Sequence, residues 1–394
     1  MLMPSWSRGL ADSRSPRSAT VLELLVDVVY VFALARLAGR VADDLTIVRH
    51  TLLSEAGQTL LFFTAMWMIW FLNAVMSSTY DPRRTDIQVI LLATMFGTLV
   101  LAVSLPQAFG QRGLIFACTY VIIQVGRPLY LTLAQWGHPR GRLPARVLTW
   151  HAVSAVLWIG GGISGGFGRG VFWSIALAIE LVGSATHWPV PRLGEKRPSN
   201  PFGISEAHLA ERYNQFFMIA LAEVVLETGL AVSFPGFSTG RTVTLVAAFV
   251  TVVAFWRLYF YHLAPGQSAD SDALRLARSS GFSLMLIVAG IICTAVGLGQ
   301  VIDDPDPPID WALVAIIFGG PVLFLIGRAY LERSAIRPRS GVLPIGALVL
   351  IVAAPPVAFL PPVAVAAVAG LIMVGIAVAD GVLHGRGSQT NPTL

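Results

Sequence analysis

Beyond Glu206 at its start, five acidic or basic side chains interrupt a stretch that otherwise has the length and apolarity of a membrane-crossing helix. The stretch is Ser205 to Gly229, S-E-A-H-L-A-E-R-Y-N-Q-F-F-M-I-A-L-A-E-V-V-L-E-T-G, and the residues are His208, Glu211, Arg212, Glu223 and Glu227. An ionised group inside a bilayer is costly, so it normally faces a bundle interior, a partner or a water cavity. A turn of about 100° per residue places His208, Arg212, Gln215, Ile219, Glu223 and Leu226 on one flank. Glu227 follows one turn beyond Glu223. The apolar run begins at Tyr213, so Glu223 lies about 15 Å further along, near mid-membrane. Carboxylates there can bind a proton or a cation, or can pair with arginine from another helix.

A second acidic pair, Glu23 and Asp27, lies four residues apart and shares one helix face. Thr20-Val21-Leu22-Glu23 has the form of a capping box, which gives Glu23 a local structural role. Asp27 is a turn deeper and lacks that explanation. Two acids at this spacing can share a proton or a cation, because close like charges disfavour double ionisation. Glu211 and Arg212 have an interfacial reading too, with Ser205 as the N-cap and Glu206 at the positive helix start. Arg127, in V-G-R-P-L-Y, and Arg257, in F-W-R-L-Y-F-Y-H-L, are candidate ion-pair partners for Glu223 and Glu227. Glu180, in A-I-E-L-V-G, competes with those two acids. Structural pairing and a functional site are equally open readings, since a buried ion pair adds little net stability.

The elements that position these groups follow from composition. The chain has 394 residues, of which 55% are hydrophobic and 12% charged, with mean hydropathy +0.71. Soluble domains average about 25% charged residues, so this is an all-α, polytopic transmembrane helix bundle in a lipid bilayer. Twelve apolar segments are marked near 20–38, 58–78, 87–109, 113–135, 146–164, 170–187, 208–232, 242–263, 279–301, 311–331, 342–361 and 362–383. Pro355–Pro356 and Pro361–Pro362 make the last two the least regular, with a kinked or re-entrant segment as the alternative. Seventeen of the 27 Lys and Arg fall on the side of the N-terminus and five on the other, which predicts both termini in the cytoplasm. That asymmetry accounts for the net charge of +5 without nucleic acid.

The expected layout is a polar tail over 1–19, a six-helix half over 20–187, a linker over 188–207, a second half over 208–384 and a tail over 385–394. Both halves open alike, V-L-E-L-L-V-D-V-V-Y-V-F-A-L-A at 21–35 and H-L-A-E-R-Y-N-Q-F-F-M-I-A-L-A at 208–222. Two parallel six-helix repeats would give that pattern, at even odds with chance recurrence of A-L-A. Cys118 and Cys293 offer no disulfide framework, the histidines no metal spacing, and the chain no phosphate loop, G-x-S-x-G elbow or C-x-x-C. No catalytic residue, cofactor or metal is therefore expected. The runs G-G-G-I-S-G-G-F-G at 160–168 and F-G-G-P at 318–321 suit close helix approach or a break.

The two charged helices resemble the low temperature requirement A family of bacterial membrane proteins. That family opens with a pattern like L-E-L-F-F-D-L-V-F-V-F-A, against L-E-L-L-V-D-V-V-Y-V-F-A at 22–33 here. Its later pattern resembles H-x-x-E-R-x-x-x-F-x-I-I-x-L-G-E, against H-L-A-E-R-Y-N-Q-F-F-M-I-A-L-A-E at 208–223. A weaker likeness continues through W-R-L-Y-F at 256–260. Carried over, the resemblance points to Glu23, Asp27, His208, Glu211, Arg212 and Glu223. Ala222 stands where the family has glycine, and Leu25-Val26 where it has an aromatic pair. The resemblance implies a bacterial inner-membrane location and a multi-pass helical fold, with no settled activity. The leading functional expectation is a secondary transporter of a small solute, coupled to protons or cations by Glu223 and Asp27, with Arg212 as partner or gate. The alternative is a sensor or scaffold for stress tolerance, with structural ion pairs. The loop S-S-T-Y-D-P-R-R-T-D after the second segment lacks the major facilitator motif, which excludes that superfamily.

Overall fold

The structure, a computed structural model, describes residues 19–46, 52–138, 141–191, 193, 204–233, 235–260, 273–305, 311–334 and 341–389. The expected N-terminal tail up to residue 18, most of the 188–207 linker and residues 390–394 lie outside them. Among the described residues the protein is all-helical, with no strands. The α-helices are α1 (Val21–Thr46), α2 (Leu52–Thr79), α3 (Thr85–Ser104), α4 (Gly113–Ala134), α5 (Arg142–Ile163) and α6 (Gly166–Thr186). They continue as α7 (Glu206–Ser233), α8 (Thr239–Phe260), α9 (Ala273–Asp303), α10 (Trp311–Ser334), α11 (Val342–Val357) and α12 (Pro362–Gln389).

Each of the twelve expected segments falls on one of these helices. Nine of the described helices are long and apolar enough to cross a membrane, and α1, α5 and α11 fall short of that standard. The reasons differ. Helix α1 carries Glu23, Asp27, Arg36 and Arg40 along its length. Helix α5 opens with Arg142 and Arg146 and holds His151 and three consecutive glycines. Helix α11 has only 16 residues, about 24 Å against a hydrocarbon core of about 30 Å. Pro355 and Pro356 sit inside its last turns, and the chain restarts at Pro362, where a ring is tolerated because the first helical N–H groups need no partner.

The chain divides into two compact units. The first comprises α1 as far as Arg40, α2 to α6, and α7 as far as Arg212. The second comprises the end of α1 (Val41–Thr46), α7 from Tyr213, α8, α9 from Arg275, and α10 to α12.

In the first unit α5 packs against both α4 and α6. The glycine run at 160–162 allows it. A Cβ on Gly161 would stand 2.5 Å from Trp173 Cδ1 of α6, and one on Gly162 would stand 2.9 Å from the Ala117 Cβ of α4. Phe62, Phe116, Tyr120, Trp158 and Trp173 fill the space between these helices, all without exposure. In the second unit α9 and α10 approach through Gly290 and Gly320. A Cβ on Gly320 would meet Thr294 Oγ1 at 2.4 Å, so the F-G-G-P run serves close approach there too.

Candidate functional site

The buried acids that the sequence singled out stand in three places, two in the first unit and one in the second. The first begins at the α1 N-terminus. Thr20 N donates to Glu23 Oε2 at 2.8 Å, and Glu23 N donates to Thr20 Oγ1 at 3.4 Å. This is the reciprocal capping box expected from T-V-L-E. One turn deeper, Arg212 of α7 grips Asp27 with both arms, Nη1 to Oδ2 at 2.7 Å and Nη2 to Oδ1 at 2.8 Å. Trp70 of α2 adds its indole N–H to Asp27 Oδ1 at 3.0 Å.

The same cluster takes in Glu23 and His208 from the two sequence patterns. Arg212 Nε lies 3.6 Å from Glu23 Oε1, and His208 Nε2 lies 3.4 Å from Glu23 Oε2. His208 Nδ1 is 3.1 Å from Ser78 Oγ at the end of α2. Ser205 N donates to Ser78 O at 2.9 Å, which ties the approach to α7 onto α2. Glu23 and Asp27 have no exposure, Arg212 has 1% and His208 has 2%. A planar guanidinium matches a carboxylate bidentately, so the Asp27–Arg212 contact fixes the relative register of α1 and α7 within this unit. The structure therefore brings Glu23, Asp27, His208 and Arg212 together. Glu211, on the neighbouring face of α7, is only half-buried and stands outside this set.

The second place centres on Glu180 of α6, also without exposure. Three neutral donors surround its carboxyl group: Tyr120 Oη at 2.6 Å, Ser154 Oγ at 2.7 Å and Trp158 Nε1 at 2.9 Å. Arg127 is linked to it indirectly. Arg127 Nη2 donates to Gln124 Oε1 at 2.6 Å, and Gln124 Nε2 donates to Tyr120 Oη at 3.3 Å. Each donor in that chain points toward the acid. Pro128 follows Arg127 inside α4 and has no N–H, so the ladder loses one bond beside the buried cation. His151 of α5 bonds through Nδ1 to Val147 O at 2.9 Å.

The third place lies in the second unit. Glu223 is 2% exposed, and its Oε2 takes no hydrogen bond among the described residues. Glu227, one turn on, is half-buried and rests against α9. A Cβ on Gly299 would fall 2.9 Å from Glu227 Cγ. The two arginines expected to pair with these acids, Arg127 and Arg257, make other described bonds. The described bond of Arg127 goes to Gln124 in the first unit. Arg257 donates to Ala377 O of α12 at 3.3 Å, its guanidinium lying over Gly381. Spacing could not reveal this, because arginine also satisfies its donors on amides and carbonyls.

Sequence reasoning also missed the neutral partners. Trp70, in the W-M-I-W run of α2, donates to Asp27. Tyr120, Gln124, Ser154 and Trp158 carried no motif. Arg169, counted as an outside-loop cation, is 6% exposed and donates to Gly161 O, Ser164 O, Ala108 O, Gly110 O and Gly162 O. Among the described residues no three His, Cys, Asp or Glu side chains converge as metal ligands.

Comparison with known proteins adds three findings. Residues 18–378 match the family described as bacterial low temperature requirement A protein. The chain is 32% identical over 377 residues to an uncharacterized protein of Rhizobium meliloti (strain 1021), covering 93% of this chain and 90% of that one. No solved structure gives a significant match.

Proposed function

We propose that this chain, which belongs to the bacterial low temperature requirement A family, is a secondary carrier that moves a small solute coupled to a proton or a monovalent cation. One observation carries the reading. Glu223 is buried inside α7, a helix long and apolar enough to span a bilayer, and its Oε2 accepts no hydrogen bond among the described residues. A carboxyl group at that depth is costly, and an acid with no cationic partner among the described residues recovers none of that cost through pairing there. Loading and release of a proton or cation would give it a use. In this reading Glu223 is the loading group, Glu227 its neighbour on the exit side, and the Asp27–Arg212 pair a lock between α1 and α7. The layout is twelve spans arranged as two parallel six-helix repeats, with both termini in the cytoplasm of a bacterial inner-membrane protein.

The test is a thermal-shift screen of purified protein beside Glu223→Gln, with amino acids, nucleosides, polyamines, organic anions and monovalent cations at several pH values. A ligand at a hundred times its Kd stabilises a two-state protein by about 2.7 kcal/mol, which is readily detected. A solute that protects wild type but not Glu223→Gln, and that is then taken up by proteoliposomes, supports the carrier. Absence of any protecting ligand, with a variant that merely melts earlier, overturns it.

A second reading, a non-transporting sensor or scaffold for stress tolerance, draws on a different observation. Asp27 is held by three hydrogen bonds from Arg212 and Trp70, as a purely structural pair would be. It predicts that exchanging the charges, Asp27→Arg with Arg212→Asp, keeps the protein's cellular role intact.

A further inference from the structure

We infer that Glu223, Glu227 and Asp303 form a proton relay, which joins the buried Glu223 to the face of the membrane at which α7 and α9 end. The inference rests on the carrier reading for its use and names the proton as the coupling ion. It adds Glu227 and Asp303 as relay groups and Gly299 as the residue that leaves them room.

The first ground is geometric. Glu223 and Glu227 stand one turn apart on α7 and share a face. Opposite Glu227, α9 presents Gly299. The three atoms nearest to a Cβ there would all belong to the Glu227 side chain: Cγ at 2.9 Å, Oε1 at 3.2 Å and Cδ at 3.6 Å. At Gly290 of the same helix the nearest atoms are instead backbone atoms of Gly320 and Phe324. Gly290 thus serves helix contact, whereas Gly299 makes room for a carboxyl group. Asp303 lies one turn beyond Gly299 on the same face. Its charge acts on Glu227, as the charge of Glu227 acts on Glu223. Burial falls along this row: Glu223 is 2% exposed, Glu227 is half-buried and Asp303 is exposed.

The second ground is the inner end of the row. Glu223 Oε2 is buried and takes no hydrogen bond among the described residues, a state that calls for a partner from elsewhere. The charged groups on the helices packed against this part of α7 point to other tasks. Arg241 of α8 donates to Ile302 O of α9 at 3.0 Å, and its charge acts on Asp303 at the outer end. Arg257 of α8 reaches Ala377 O of α12, and Arg328 of α10 reaches Leu258 O and Glu332. Tyr259 of α8 lies stacked on Phe217, with ring centroids 3.7 Å apart.

The arrangement suits a proton better than a metal cation. A hard cation gathers several oxygens around one point. Here the acids stand in sequence, at about 6 Å per turn along each helix axis. Among the described residues no three His, Cys, Asp or Glu side chains converge as ligands. A proton needs only one carboxyl group at a time, and a bridging water closes steps of this length. Asp303 takes the proton from water at the outer end. It passes the proton to Glu227 and returns to carboxylate, and Glu227 passes it to Glu223 in the same way. One proton moves inward, and each relay group ends as it began.

The test reads how fast the Glu223 carboxyl group exchanges its proton. Purified protein in mildly acidic buffer is moved into D2O, and infrared spectra follow the carboxylic C=O band that Glu223→Gln removes. In Glu227→Gln that band should persist but exchange at least about tenfold more slowly, since a positioned acid or base speeds proton transfer by about 10²–10⁴. Asp303→Asn should slow it by a smaller factor, because water reaches that end of the row. Gly299→Ala, which crowds Glu227, should act in the same direction. Should Glu223→Gln not fold, Glu223→Asp assigns the band by shifting it. Wild-type exchange in Glu227→Gln overturns the relay, and so does the absence of any band that follows Glu223. Wild-type exchange in Asp303→Asn alone overturns Asp303 as its outer member. The carrier fails separately. If a solute protects wild type but not Glu223→Gln while exchange ignores Glu227, the carrier stands and the relay falls. If Glu227→Gln slows exchange and no solute protects, the relay stands as a proton site and the carrier falls.

Discussion

Asp27 and Glu180 are two carboxyl groups of the same unit, both without exposure, and they are held in opposite ways. Asp27 has a guanidinium clamped across it, with Trp70 as an accessory donor. Glu180 has three neutral donors, and its nearest route to a cation runs through Tyr120 and Gln124 to Arg127. A direct ion pair concentrates its energy in one contact and binds two distant helices. A ring of neutral donors spreads the same task over α4 and α5, so no single side chain is indispensable. The first arrangement is brittle and the second is graded.

The largest effect should come from Arg212→Gln. It strands Asp27 and leaves Glu23 without its guanidinium neighbour, and breaking a buried pair by removing one member costs about 3–5 kcal/mol. Thermal unfolding in detergent should show most of the protein lost or melting far below wild type. Arg212→Lys should fall between, since an ammonium keeps the charge but cannot form the fork. Loss below about 1 kcal/mol for Arg212→Gln would mean that the pair does not hold α1 to α7. The double variant Asp27→Asn with Arg212→Gln should recover part of the loss. A coupling of about 0.5–3 kcal/mol is expected for residues in direct contact, and additivity would sink the claim that they act as one unit.

Glu180→Gln comes next. The amide keeps an oxygen for Ser154 and Trp158, and its NH2 faces a Tyr120 hydroxyl that can turn to accept. The cost should be about 1–3 kcal/mol, the range for disturbing one buried hydrogen-bonded group. A loss as large as that of Arg212→Gln would erase the contrast between the two acids.

What could be read from the sequence follows the same divide between local and distant. The Thr20–Glu23 box spans three residues, so helix geometry alone dictates it, and the structure shows it. The shared flank of His208 and Arg212 was likewise a matter of helical phase. The partner of Arg212 was not, because Asp27 lies 185 residues away and nothing in either helix names the other. The charge-bearing residues stood out against apolar surroundings. Tyr120, Ser154 and Trp158 did not, since each is an ordinary member of an apolar helix until Glu180 is placed beside it. Arg169 shows the converse error. Five carbonyl oxygens around the C-terminal end of α5 and the turn before α4 take its donors, an arrangement that a count of loop arginines registers only as a surface charge.

The smallest and sharpest test is Tyr120→Phe. The substitution keeps the ring, which packs 4.3 Å from Trp158 between centroids, and removes only the hydroxyl. Glu180 then loses its 2.6 Å donor but keeps Ser154 and Trp158, while Gln124 Nε2 loses its acceptor. Two consequences oppose each other: one lost bond to a carboxyl acceptor, and a gap the size of one oxygen that a water molecule fits. A net cost of about 1–2 kcal/mol is expected, below that of Glu180→Gln. If Arg127 communicates with Glu180 through this hydroxyl, Arg127→Met should cost clearly less in the Tyr120→Phe background than in wild type. Equal costs in the two backgrounds would show that Arg127 of α4 and Glu180 of α6 are separate features, and the graded arrangement would reduce to Glu180 and its three donors alone.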